Sequence, residues 1–214
     1  MKRLGRGMVA VVLVLTVVLA GCSTAWIGEA QEIVAALIPA AANIVALVAT
    51  LQGKGVSAAD LATIQSAGSQ AGADLQLIQS LITAYEKADA TTKPGIMNQI
   101  QAALATVQNN LQNLLPALHI KDSATQTKIT AVVGILISEV QSLAAVVPIV
   151  TGQSLVAGHR PSAKPPLSAQ EFVASYNATI TAKTGNAALD QATAGLRIHQ
   201  HGKLARVATA GLLK

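Results

Sequence analysis

Residues 57–85 read SAADLATIQSAGSQAGADLQLIQSLITAY, and within them Leu61, Ile64, Gly68, Ala71, Leu75, Ile78, Ile82 and Tyr85 follow one another at steps of three and four without a miss. That spacing returns to one side of a helix every turn, so the stretch predicts a long amphipathic helix with one buried face. Ser57 supplies a capping hydroxyl and Asp60 an acid in the first turn. Gly68, Ala71 and Gly72 gather the smallest side chains in one place, which points to a close backbone crossing with a neighbouring helix, expected near Ala40 to Ala42.

The same period appears on both sides. Upstream, Ile33, Leu37, Ala40, Ile44, Leu47 and Leu51 form a seam, and Val34, Ile38, Ala41, Val45 and Val48 form a second apolar line. Between Ile33 and Leu51 there is no charge, and Asn43 and Thr50 are the clearly polar groups, so this helix is apolar nearly all round and belongs in a core or in lipid. Pro39 removes one backbone donor near its middle. Gly53-Lys54-Gly55 ends it. Downstream, Lys93-Pro94 opens a third helix with Ile96, Ile100, Ala103, Val107, Leu111 and Leu114 on its seam and Gln99, Gln101, Gln108, Asn109, Gln112 and Asn113 elsewhere on its surface. Ser123 is read as the cap of a fourth, carrying Ile129, Val133, Leu136, Val140, Leu143 and Val147. Four helices with short connections imply an all-α, up-and-down four-helix bundle over residues 22–150.

Residues 151–167 hold Gly152, Gly158, Pro161, Pro165 and Pro166 with His159, Arg160 and Lys164, the composition of a basic linker. Residues 168–214 then read as a helical, basic appendage. Ser168 and Glu171 form a capping box for a helix to about Lys183, Asn186 caps another with Leu189 and Leu196, and a basic tail follows.

Composition agrees with a helical body. Of 214 residues, 51% are hydrophobic but only 2% aromatic, so the apolar content is aliphatic rather than the Tyr, Phe and Trp of barrels and sandwiches. The formal charge of +5 is unevenly spread. Residues 23–150 carry five Lys against eight acids, whereas residues 151–214 carry seven Lys or Arg against two.

The N-terminus bears on location. Lys2, Arg3 and Arg6 precede an apolar run from Met8 to Ala20, 13 residues long, against the roughly 20 that a membrane-spanning helix needs. That is the plan of a signal peptide covering residues 1–21. Leu19-Ala20-Gly21-Cys22 resembles the lipobox of bacterial lipoproteins. The resemblance implies cleavage between Gly21 and Cys22, covalent diacylglycerol and an N-acyl chain on Cys22, and a membrane anchor facing the periplasm or the cell exterior. Ser23 and Thr24 follow in place of the Asp that marks inner-membrane retention in that class, so the resemblance implies the outer membrane. Cleavage removes 21 of the 214 residues and leaves 193, and lipidation of Cys22 consumes the one cysteine.

No catalytic residues, metal ligands or cofactor site emerge from the remaining residues. His199 and His201 stand two apart, which points them in different directions on a helix, and they lack acidic or thiol neighbours beyond Asp190. Glu29 with Glu32, and Glu86 with Asp89, are spaced three apart and read as solvated helix-end acids, the first pair in the first turn of its helix. No Gly-x-Ser-x-Gly elbow and no phosphate-binding glycine pattern occurs, and nucleic acid is not an expected partner outside the cytoplasm. Arg197, Lys203, Arg206 and Lys214 are candidate contacts to anionic phospholipid, lipid A or cell-wall polymer. The expected function is a membrane-tethered, non-enzymatic structural or interaction module of the cell envelope. A carrier of an apolar ligand within the bundle and a membrane-perturbing helical protein are the alternatives.

Overall fold

The computed structural model describes residues 25–51, 56–117, 119–151, 154–156 and 168–199. Gly21, Cys22, Lys203, Arg206 and Lys214 lie outside them. The described chain is helical apart from one small strand pair. In order it comprises α1 (Ala25–Leu51), α2 (Ala58–Lys87), α3 (Lys93–Ala117), α4 (Ser123–Val146), β1 (Ile149–Thr151), β2 (Ser154–Val156), α5 (Ala169–Thr181) and α6 (Ala187–Ala194).

The four long helices touch in a closed cycle, α1 with α2, α2 with α3, α3 with α4, and α4 with α1. Their seams face inward. On α1, Ile33, Leu37, Ala40, Ile44, Leu47 and Leu51 are all buried, and on α2 so is every residue of the founding stripe except the half-buried Leu61. Ile100, Val107, Leu111 and Leu114 of α3 and Ile129, Val133, Leu136, Val140 and Leu143 of α4 complete one continuous core. At one end Trp26 meets Tyr85 edge-on at 5.2 Å.

The small-residue crossing sits one turn from where the sequence places it. A Cβ on Gly68 would come within 3.0 Å of Ile44 Cγ2 and Val45 Cγ2, so the glycine lets α2 approach α1 closely there. Gly72, by contrast, has nothing within 4 Å, because it lies off the buried stripe. Capping also shifts by one residue on α4. Asp122 is the cap, extended at φ −76°, ψ 113°, and its carboxylate accepts from the Thr125 N–H at 2.8 Å, while Ser123 already has helical backbone. Glu29 and Glu32 lie beyond the first turn of α1, since the helix begins at Ala25.

Beyond α4 the backbone forms an antiparallel pair, Ile149 opposite Val156, Val150 opposite Leu155 and Thr151 opposite Ser154, which takes up the first residues of the stretch read as linker. The segment expected to be an appendage shares the core. α5 packs on α1 and α4, α6 packs on α1 and α5, and Phe172, Tyr176, Ile180 and Leu189 are buried among the same residues. The reason lies in α4, which buries a second stripe that the aliphatic seam does not include: Thr125, Lys128, Val132, Glu139 and Ser142. α1 is therefore covered from two sides, which accounts for its apolar surface.

Candidate functional site

Most groups that the sequence singles out are engaged in local structure. The His119 side chain is 86% exposed with Nδ1 3.8 Å from Asp60 Oδ1, and its backbone N–H donates to the same oxygen at 3.1 Å. Ser57 Oγ donates to Asp60 Oδ2 at 2.6 Å. The Ser57 hydroxyl first, then the His119 N–H, hold the Asp60 carboxyl below its ordinary range, so the pair joins the loop before α4 to the start of α2. Asp89 accepts from the Thr91 N–H and hydroxyl and from the Thr92 N–H. These bonds pull it down to about 2 and shape the entry to α3; Glu86 is exposed beside it. Glu29 and Glu32 are exposed as well, and so are Arg197 and His199. Among the described residues, no three His, Cys, Asp or Glu side chains converge as a metal site would require.

On α3, Gln99, Asn109, Gln112 and Asn113 are exposed, whereas Gln101 is half-buried and donates to the Pro148 carbonyl at 2.7 Å, fixing the end of α4. Between α2 and α3 a groove of about 610 Å³ opens, edged by Thr63, Ser66 and Gln70 on one helix and Asn110 and Asn113 on the other, with Ala67 and Leu114 in its lining. None of its lining residues carries a charge. Its hydroxyl and amide groups both donate and accept, so it suits a neutral polar partner and selects against neither sign of charge. Leu77, further along α2, is a large apolar side chain left 50% exposed.

The buried Lys128 and Glu139 went unremarked in the sequence. Lys128 is 4% exposed, and its ammonium donates to the Ile180 carbonyl at 3.0 Å, to Thr193 Oγ1 at 3.0 Å and to Asp190 Oδ1 at 3.5 Å. Three donors thus find three acceptors. Burial works to raise the Asp190 carboxyl, but the Thr184 hydroxyl and N–H, together with Lys128, hold it below the ordinary range. This network ties α4 to the end of α5 and to α6. Two further amides do similar work: Asn43 donates to the Leu196 carbonyl at 2.6 Å, and Asn177 both donates to and accepts from the backbone of Ile198.

Glu139 differs. It is 0% exposed, and neither carboxylate oxygen has a hydrogen-bond partner. Burial, reinforced by the negative charge of Glu171, pushes it up to about 8, so it is largely protonated at neutral pH. Tyr176 on α5 is also buried with an unpartnered hydroxyl, pushed up to about 12 by burial despite the Asn43 amide beside it. Because Lys128 reaches Ile180 while Glu139 feels Glu171, α4 and α5 run antiparallel. One signal for Glu139 was present in the sequence: it is the sole charged residue between Ile129 and Val150.

The chain matches no protein family, no curated protein and no solved structure. By length and composition alone, Trp26–Leu47 and Ser123–Val146 are apolar enough to cross a membrane. Both are packed in the helical core, and the second carries Lys128 and Glu139 on its buried side.

Proposed function

We propose that the protein is a lipoprotein held by acyl chains on Cys22, and that its helical body is a non-enzymatic structural or interaction module of the bacterial envelope. The observation that carries this reading is the lipobox Leu19-Ala20-Gly21-Cys22, which ends three residues before α1 begins at Ala25. Ser23 after the cysteine favours the outer membrane over the inner. A single acyl chain binds a membrane only marginally, about 10⁴ M⁻¹, so the two or three chains implied by the lipobox make a stable anchor without a transmembrane helix.

The cyclic contacts of α1 to α4, with their short connections, support an up-and-down bundle over which α5 and α6 lie as a strap. The burial of the α1 seam favours a core role over membrane insertion for Ile33 to Leu51. The uncharged groove between α2 and α3 is the surface we assign to a protein or polymer partner. Arg197, with Lys203, Arg206 and Lys214 beyond it, is assigned to anionic envelope surfaces, each charge contributing about 1 kcal/mol that falls with salt. Crosslinking in the native membranes, followed by pull-down and mass spectrometry, tests the reading against a Cys22→Ser control. Defined envelope proteins lost with the anchor are expected; recovery of lipid alone would replace the module with a carrier.

A further inference from the structure

The outer face of the α2–α3 hairpin is almost without charge. Residues 62–85 and 94–116 hold twelve Asn or Gln and one charged side chain, Asp74, where 12% of the whole chain is charged. Asp74 is itself half-buried, and its Oδ1 accepts from the Gln70 amide at 3.2 Å. From the groove an exposed stripe at steps of three and four runs along α2 through Ser66, Gln70, Ala73, Leu77 and Ser80. A matching exposed stripe runs along α3 through Asn113, Asn109, Thr106, Ala102 and Gln99. Neither stripe contains a charge. Soluble domains average about 25% charged residues, most of them on the surface, whereas the centre of a protein interface is depleted of charge. These water-facing stripes follow the second pattern. The strap of α5 and α6 packs on α1 and α4 and leaves them open.

Chemistry narrows the occupant. A bilayer is bound through cations or a broad apolar band, and the stripes supply neither. A saccharide would find no ring to stack on, since Tyr85 is buried against Trp26. A strongly charged partner would lose water from its charges with nothing opposite to pair them. The face does suit its own image. Each Asn or Gln offers both donors and an acceptor, so a two-fold contact, which sets the same patch against itself, finds partners without like-charge repulsion. At about 1.5 Å per residue and about 10 Å per helix, the face measures roughly 34 Å by 20 Å, or about 700 Å², close to the ~800 Å² per partner of a standard interface. Leu77, 50% exposed, is the large apolar side chain left open within it. Resting on the assignment of the α2–α3 groove to a partner, we propose that the partner is a second copy of this chain, the two hairpin faces packing on one another about a two-fold axis with Leu77 covered between them.

The test measures the mass of the full-length protein in mild detergent by sedimentation over a concentration series, for the parent, Gln70→Lys, Leu77→Lys and the control Glu32→Lys on the exposed side of α1. All three positions are exposed, so each variant is expected to fold, which circular dichroism checks. The expected result is a dimeric parent and control, with the dimer dissociation constant raised about tenfold or more by either substitution on the face. A parent that stays monomeric, or a dimer indifferent to both substitutions, would overturn the pairing. A photo-crosslinking residue at position 66, activated in the native membranes, separates this outcome from the broader assignment. An adduct of twice the chain mass is expected. An adduct with a different protein or with a glycan overturns the second copy and keeps the groove as a partner site; no adduct at all overturns both.

Discussion

Glu139 carries the plainest consequence at the scale of single residues. Its carboxyl is pushed up from an ordinary 4.5 to about 8, so the unfolded chain gives up the proton before the folded protein does. The stability it contributes is complete below about 4.5 and is lost as pH rises toward 8, beyond which its effect is flat. Asp60, Asp89, Asp122 and Asp190 act in the opposite sense: each is held below its ordinary 3.8, so their contribution is present above that value and lost below it. Thermal unfolding followed by circular dichroism is therefore expected to give a maximum near pH 4 to 5. Glu139→Gln is expected to flatten the fall toward pH 8 and to melt higher than the parent there; an unchanged slope would show that Glu139 is not the titrating group. Lys128 is the other sensitive position. Lys128→Met leaves the Ile180 carbonyl, Thr193 and Asp190 without their shared donor, and breaking a buried pair from one side costs about 3–5 kcal/mol. Urea unfolding measures the loss, and hydrogen exchange is expected to rise first in α5 and α6.

At the scale of elements, the helix that decides the fold also offers a paired comparison. Gly72 has open space where a Cβ would go, so Gly72→Ala is expected to stabilise by about 1 kcal/mol through helix propensity. Gly68→Leu forces a side chain against Ile44 and Val45 and is expected to cost about 1–3 kcal/mol. Denaturant midpoints of the two variants should move in opposite directions. The four long helices and their buried stripes were legible in the sequence because a three-four spacing marks a buried face whatever covers it. The Ser168–Glu171 capping box and the Asn186 cap were legible for the same local reason. The second buried stripe of α4 was not. Thr125, Lys128 and Glu139 are polar, and their burial depends on α5 and α6, which lie 30 or more residues further along the chain. The crossing register at Gly68 and the choice of Asp122 over Ser123 likewise depend on contacts and backbone angles that residue types do not specify.

For the whole molecule, α1 joins the parts. It is packed by α2 and α4 on one side and by α5 and α6 on another, and it begins three residues after Cys22, the residue proposed as the anchor. The proposed function rests on a covalent anchor at Cys22. Mass spectrometry of the N-terminal peptide from protein extracted from its own membranes tests it most directly. The expected chain begins at Cys22 and carries a thioether-linked diacylglycerol with an N-acyl group. A peptide still joined to Gly21, or a Cys22 with a free thiol, would contradict it.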